Sequence, residues 1–147
     1  MEYWFYHLEA STVEGVLPGL LEKTLQKGWR ALVKLPESQL SEMDDYLWAY
    51  KDDSFLPHGR DDEPMADQQP VTLSAAAKTA EGHQAVFLLG GAEVENMSGV
   101  ERCMVMINGR SESDVTRERK RWKDLKETGA SLSYYQQNDR GGWEKKA

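Results

Sequence analysis

The sequence predicts an α/β sandwich built on a mainly parallel sheet. Short runs rich in aromatic and aliphatic residues, such as Met1–Leu8 and Ala85–Leu89, alternate with longer segments in which apolar residues recur at helical spacing. The first strand, helix and second strand also fit within about 35 residues, the length of a βαβ unit with parallel strands.

Length and composition are typical of a globular chain. The sequence has 147 residues, of which 39% are apolar and 29% charged, so it can bury a core as one domain over residues 1–147. No apolar run approaches the roughly 20 residues of a membrane helix, and the first ten residues lack the features of a signal peptide. We therefore expect a cytoplasmic chain whose single cysteine, Cys103, is reduced. The net charge of −7 argues against broad nucleic-acid binding.

The first predicted helix follows the opening strand. Ser11 or Thr12 would cap it, Pro18 marks its start or a kink, and Gly28 closes it. Its buried stripe would consist of Val13, Val16, Leu17, Leu20, Leu21 and Leu25. Residues 29–35 then predict a second strand that is buried on both faces.

The second predicted helix spans Ser38–Tyr50, with Ser38 as its cap and Asp44 and Asp45 facing solvent. Its buried stripe would include Leu40, Met43, Leu47 and Trp48. The following residues, 52–67, contain six acidic residues and one arginine, and Pro57 and Gly59 favour a loop there.

The C-terminal half contains further strands and one basic helix. The predicted strands are Val71–Ser74, Ala85–Leu89 and Ser131–Gln137. Val100–Ile107 is compatible with a helix or a strand, and its Val, Met and Ile content favours a strand. Ser111–Asp114 leads into the basic helix, which spans Arg117–Gly129, and Asn138–Ala147 forms a polar tail.

The basic helix contrasts with the acidic remainder of the chain. Its first eleven residues contain six Lys or Arg against three acidic residues. Arg119, Trp122, Lys123 and Lys126 fall at i, i+3, i+4 and i+7, so they share one face. An aromatic ring flanked by three cations suits a ligand that is anionic and apolar, such as an acidic peptide that ends in a hydrophobic residue. The other interpretation is a solvated charged face with Trp122 in the core.

Signatures of catalysis and of cofactor binding are weak. Neither G-x-G-x-x-G nor G-x-x-x-x-G-K-[ST] occurs, and the paired Gly90–Gly91 has no lysine nearby. The three histidines are far apart and one cysteine makes no C-x-x-C, so no metal site is predicted. Cys103 lies in an apolar stretch, which favours a buried thiol over a nucleophile. The acidic pairs Asp52–Asp53 and Asp61–Asp62 lack the apolar surroundings typical of catalytic acids, and they indicate a hydrated loop.

Four segments resemble the chi subunit family of bacterial DNA polymerase III. Tyr3–Leu8 (YWFYHL) is similar to the family's aromatic first strand, and Leu47–Gly59 (LWAYKDDSFLPHG) resembles its motif of Trp followed by Ser-Phe-x-Pro-His. Arg117–Ala130 is similar to the family's Arg-rich C-terminal helix with an aromatic–Lys pair. Gly141–Trp143 resembles a tail form of alphaproteobacterial members. The resemblance spans nearly the whole chain in the expected order.

This resemblance implies a three-layer, Rossmann-like fold without a nucleotide-binding loop, a metal or a cofactor. It implies a clamp-loader accessory subunit that has no catalytic residues, although it belongs to a DNA polymerase holoenzyme. Such a subunit would bind the acidic C-terminal tail of single-stranded-DNA-binding protein during replication, so its DNA contact would be indirect. It would be associated with the replisome, and its second partner would be the psi subunit or a helicase that competes for the same surface.

The resemblance also implies roles for particular residues. Arg119 would hold the terminal carboxylate of the tail, because a guanidinium fork fits a carboxylate. Trp122 would wall the pocket for the terminal Phe, and Lys123 and Lys126, with Arg117 nearby, would attract the acidic side chains.

The second partner would contact Trp48, Phe55, Leu56 and Pro57. Alternatively, Phe55 and Leu56 fold inward and anchor their loop.

Two other functions stay open at this point. The first is direct binding of single-stranded nucleic acid by residues 117–127, with Trp122 as a stacking platform. The second is a small α/β enzyme with a site near Gly90–Gly91, for which the sequence offers no set of ionisable residues.

Overall fold

The computed structural model describes residues 1–50, 58–62 and 69–147. In chain order the elements are β1 (Glu2–Leu8), α1 (Val13–Gln26), β2 (Ala31–Lys34), α2 (Glu37–Trp48), β3 (His58–Arg60), β4 (Val71–Ser74), β5 (Ala85–Leu88), β6 (Arg102–Asn108), α3 (Glu112–Glu127), β7 (Ser131–Gln137) and β8 (Trp143–Lys145).

One eight-stranded sheet organises these elements, in the order β3-β4-β2-β5-β6-β1-β7-β8. All neighbouring pairs are parallel except β7 and β8, which are antiparallel. The predicted α/β sandwich with a mainly parallel sheet is therefore confirmed. Strand β1 lies between β6 and β7, so α3, which connects these two strands, crosses over β1.

Helices cover both faces of the sheet and create two apolar layers. On one face, α1 and α2 pack against the sheet through Leu17, Leu21, Leu40, Met43 and Leu47. On the other face, α3 and the segment 75–100 pack through Ala80, Val94, Val100, Val115, Trp122 and Leu125. The strands between them are apolar on both sides, as expected for parallel strands that are covered twice. No helix in the described ranges is long and apolar enough to cross a membrane.

Helix α1 begins at its predicted cap. The Thr12 hydroxyl accepts a hydrogen bond from the Gly15 backbone N–H at 3.1 Å, and Gly28 follows the helix with φ +77°. Pro18 lies within the helix and is buried, so the helix starts one and a half turns before it rather than at it.

Helix α2 differs from the prediction in three respects. It begins at Glu37 with Pro36 in the cap position and no side-chain cap, so Ser38 is not the cap. Asp44 is half-buried because its carboxylate lies 3.1 Å from Nε2 of the buried His58. Trp48 is 55% exposed and does not belong to the buried stripe, which consists of Leu40, Met43 and Leu47.

Part of the predicted acidic loop is a strand. His58–Arg60 forms β3, which pairs in parallel with β4 at the edge of the sheet. The prediction of a loop was wrong here because the open edge of β4 offers backbone hydrogen bonds that a local turn pattern does not reveal. Residues 51–57 and 63–68, which include Phe55, Leu56 and Pro57, lie outside the described residues.

Helix α3 starts five residues earlier than predicted. The Ser111 hydroxyl accepts a hydrogen bond from the Asp114 backbone N–H, and Glu112 and Asp114 lie in the first turn, where acidic side chains favour a helix N-terminus. The polar tail contains an additional element, since β8 pairs with β7. The turn between them is held by Asn138, whose side-chain oxygen accepts hydrogen bonds from the Arg140 and Gly142 N–H groups.

The predicted buried thiol is confirmed and has a measurable consequence. Cys103 is completely buried, and this desolvation raises the pKa of its thiol to about 12. We expect a thiol-directed disulfide reagent at pH 8 to react at least about a hundredfold more slowly with the folded chain than with the chain in guanidinium chloride, because only the thiolate is nucleophilic. Equal rates in the two conditions would contradict the buried position.

Candidate functional site

A cavity of about 280 Å³ lies between α3 and the β7–β8 edge of the sheet. It is lined by His7, Arg119, Trp122, Tyr134, Gln136, Lys146 and Ala147. Two predicted site residues, Arg119 and Trp122, therefore meet in one concave site. Lys123 and Lys126 are exposed on α3 outside this lining, and Arg117 is also outside it.

The apolar wall of this cavity is a cluster of aromatic rings. The Trp122 ring contacts Phe5 edge-to-face at 5.2 Å between centroids and Tyr134 at 5.4 Å. Phe5 and Tyr134 are stacked at 6.2 Å on the same side of the sheet. Trp122 is therefore half-buried against the core and also lines the cavity, so both interpretations drawn from the sequence describe part of its position. Packing on two sides fixes the orientation of the ring before any ligand binds.

Hydrogen bonds between polar side chains at the end of β1 and on β7 hold the sheet side of the cavity in place. Nδ1 of the buried His7 lies 2.7 Å from the Tyr134 hydroxyl, and its Nε2 lies 3.0 Å from the Glu9 carboxylate. Gln136 Nε2 donates to the same carboxylate at 3.1 Å. Burial raises the pKa of Tyr134, so its hydroxyl stays neutral near pH 7 and remains available for hydrogen bonding.

The basic residues of α3 divide into paired and unpaired sets. Three of them have acidic partners on the same helix: Arg117 with Asp114 and Glu118, Lys120 with Asp124, and Arg121 with Glu118. In contrast, Arg119, Lys123 and Lys126 have no hydrogen-bond or ion-pair partner within the described ranges. The unpaired set is the face that the helical spacing predicted, so the cations of that face are not held by ion pairs to the described residues.

Arg117 has a different environment from Arg119. A Cβ atom placed on Gly91 would lie 2.7 Å from Arg117 Nε, so this guanidinium packs directly against the Gly91 backbone. Its Nε also donates to the buried carboxylate of Glu118 at 3.1 Å. Burial raises the pKa of Glu118, and Arg121 and Arg117 act in the opposite direction. Arg117 therefore joins α3 to the loop after β5 and stands apart from the cavity.

The second predicted surface is only partly described. Trp48 and Tyr46 are 55% and 40% exposed on α2, and the Trp48 ring lies 4.6 Å from the His58 ring. Trp48 is therefore an exposed aromatic side chain that packs beside a buried histidine. Phe55, Leu56 and Pro57 stay predictions because they lie outside the described residues.

A larger cavity of about 530 Å³ lies at the carboxyl ends of β5 and β6. This is where parallel α/β sheets commonly bind nucleotides. The charged residues that line it within the described ranges are Glu14, Glu42 and Asp114, all acidic. Such a lining repels phosphate groups, and this disfavours a nucleotide at that position.

Sequence reasoning missed five of the cavity residues: His7, Tyr134, Gln136, Lys146 and Ala147. Tyr134 and Gln136 are two residues apart on β7, so strand alternation indicated that they share a face. Their position beside α3 follows only from the pairing of β7 with β1, which places Tyr134 opposite Phe5. Lys146 could not be assigned because nothing in the local pattern showed that the tail returns along β7.

Comparison with known proteins gives a family for most of the chain. Residues 1–133 match the model of a family described as DNA polymerase III chi subunit, HolC. The matched range includes Arg119 and Trp122, whereas Lys146 lies beyond it. No curated protein matches the chain. Because the family model matches far more than half of the sequence, the chain belongs to the DNA polymerase III chi subunit family.

Proposed function

We propose that the cavity beside α3 binds the acidic C-terminal tail of single-stranded-DNA-binding protein and thereby links that protein to the clamp loader of DNA polymerase III. Family membership gives the chain an accessory role in replication, in the context of the polymerase III holoenzyme. The observation that carries the finer proposal is the unpaired Arg119 at a cavity walled by Trp122 and Tyr134.

The chemistry of the cavity matches a peptide that ends in Phe. The aromatic wall suits the terminal ring, since edge-to-face contacts already hold Trp122 and Tyr134 in fixed positions. Arg119 suits the terminal carboxylate because its guanidinium is not engaged by another side chain in the described part of the chain. Lys123 and Lys126 extend the positive surface along α3 and would attract the acidic residues that precede the terminus.

The chain acts in this proposal as a non-catalytic connector that needs no cofactor. Its second contact would be made by the patch that includes Trp48, with Phe55, Leu56 and Pro57, and would take the psi subunit or a helicase. The chain would work at the replisome in the cytoplasm, and DNA would be reached through the bound partner.

The test is a titration with a fluorescent peptide of nine residues that ends in Asp-Asp-Ile-Pro-Phe, at low and moderate salt. We expect saturable binding that weakens with salt, because charged residues contribute to the contact. A peptide without the final Phe should lose most of the affinity, because it lacks the apolar side chain that would fill the cavity. Absence of binding at tens of micromolar peptide would contradict the proposal.

A bare single-stranded oligonucleotide in the same assay tests the alternative function. The unpaired row of Arg119, Lys123 and Lys126 is the feature that favours nucleic acid. However, Trp122 is packed on Phe5 and Tyr134, and this leaves less of its ring free for base stacking. Oligonucleotide binding as tight as peptide binding, with loss in Arg119→Ala, would support direct binding instead.

A further inference from the structure

The outer wall of the α3 cavity is formed by the chain segment that follows β8. The Lys146 N–H donates to the Tyr134 carbonyl oxygen at 2.8 Å, and the Tyr134 N–H donates to the Ala147 carbonyl oxygen at 3.2 Å. These bonds continue the β7–β8 ladder and bring Lys146 to the cavity edge, where it shares the lining with Arg119.

The hairpin that carries Lys146 is firmly attached to the sheet. The buried Gln137 side-chain oxygen accepts hydrogen bonds from the N–H groups of Glu9, Ala10 and Ser11, at 2.9 to 3.2 Å. Trp143 contacts the Tyr6 ring edge-to-face at 5.1 Å. The position of Lys146 is therefore set by contacts on either side of the β7–β8 turn.

Lys146 has one ion-pair partner within the described ranges. Its Nζ lies 3.1 Å from the Glu144 carboxylate, and about half of each side chain is exposed. The bond from Lys146 lowers the pKa of Glu144, so this carboxylate is ionised near pH 7. An exposed pair of this kind contributes little free energy and can be exchanged for another carboxylate.

A neighbouring depression of about 270 Å³ shares Lys146 and Gln136 with the cavity. Its charged lining is otherwise acidic, from Glu9, Asp139 and Glu144. Lys146 therefore marks the border between a positive cavity and an acidic depression. The acidic residues of a peptide bound at this border would be repelled by the carboxylates near β8. They would be attracted to Lys123 and Lys126 on α3.

We propose that Lys146 is a second carboxylate-binding residue of the α3 cavity and that Glu144 competes with the ligand for it. This inference rests on the proposed function, because the ligand is the acidic tail that ends in Phe. Lys146 and Arg119 would hold the terminal carboxylate from two sides, and Glu144 would restrict the site to ligands that can displace it.

Lys145 supplies a matched control for the test. It lies opposite Tyr135 in the β7–β8 pairing, and strand alternation places it on the other face of the sheet from Lys146. Both residues are exposed lysines at the same edge, so their replacement by Ala changes the net charge equally and leaves the core intact.

The experiment compares Lys146→Ala, Lys145→Ala and Glu144→Gln in the peptide titration, with thermal unfolding as a check of folding. We expect Lys146→Ala to weaken binding about three- to tenfold and Lys145→Ala to change it less than about twofold. Glu144→Gln should tighten binding about twofold or more, because it frees Lys146.

Equal effects of the two lysine variants would overturn the inference while leaving the tail site in place. Weaker binding in Glu144→Gln would also overturn it, since that carboxylate would then assist the ligand. If the unchanged chain binds no peptide, the proposed function fails and this inference fails with it.

Discussion

Replacement of Arg119 by alanine should weaken binding of the tail peptide about thirty- to a hundredfold, which corresponds to roughly 2–3 kcal/mol. The expected loss is large because Arg119 has no other partner in the described chain and lines the cavity beside the Trp122 and Tyr134 rings, where it would make a charge-assisted bond to the ligand. The stability of the fold should not change, since an exposed and unpaired side chain is removed. The measurement is the same fluorescence titration, with circular dichroism to confirm folding.

Two further variants separate geometry from charge. Arg119→Lys keeps the positive charge but loses the planar fork, so it should retain only part of the affinity. Lys120→Ala removes the same charge from the adjacent position, where the lysine is already paired with Asp124 at 2.8 Å, and should change binding less than about twofold. An equal loss in Lys120→Ala and Arg119→Ala would show that only the overall charge of α3 matters.

Replacement of Gly109 by alanine should lower the free energy of unfolding by about 3 kcal/mol. Gly109 follows β6, and its N–H donates to the Leu8 carbonyl oxygen at 2.8 Å. A Cβ atom here would overlap that same oxygen and would lie 2.6 Å from the His7 ring. Because backbone cannot move aside cheaply, the ends of β1 and β6 would separate. Thermal unfolding should show a midpoint about 6–12 °C lower.

Gly19→Ala is the matched control for Gly109→Ala. Gly19 lies within α1, and a Cβ atom there meets nothing within 4 Å. This variant should raise the free energy of unfolding by about 0.5–1 kcal/mol, since alanine restricts the unfolded chain and favours helix. If both variants lowered stability equally, the close approach at Gly109 would not be the cause of its effect.

Gly109→Ala should also affect the cavity, because His7 is displaced. His7 supports Tyr134 through the 2.7 Å contact with its hydroxyl, so movement of the ring would disturb one wall of the site. Reduced peptide affinity in the folded fraction of this variant would show that the close approach of β1 and β6 at Gly109 influences the geometry of the cavity. This connection could not be read from sequence, since Gly109 and Tyr134 are distant along the chain.

The helical spacing of α3 was the most informative pattern in the sequence. It predicted that Arg119, Trp122, Lys123 and Lys126 share one face, and the three cations of this face have no ion-pair partner among the residues that the structure describes. Arg117 entered the predicted site through the number of basic residues and the resemblance, but charge along a helix does not show which arginine has a buried carboxylate beside it. Glu118 pairs with Arg117 because α3 turns that carboxylate toward the sheet.

Local periodicity thus determined most of the elements and the parallel sheet, because covered strands must be apolar on both faces and helices on one. The resemblance to the chi subunit family came instead from motifs that are contiguous in the chain, such as Tyr3–Leu8 and Leu47–Gly59. The sequence alone could not place β3 and β8, since edge strands form wherever a neighbouring strand leaves backbone groups open. The cavity itself was decided by tertiary structure: His7 lies on β1, Trp122 on α3, Tyr134 on β7 and Lys146 directly after β8, and only the order of strands in the sheet brings them together.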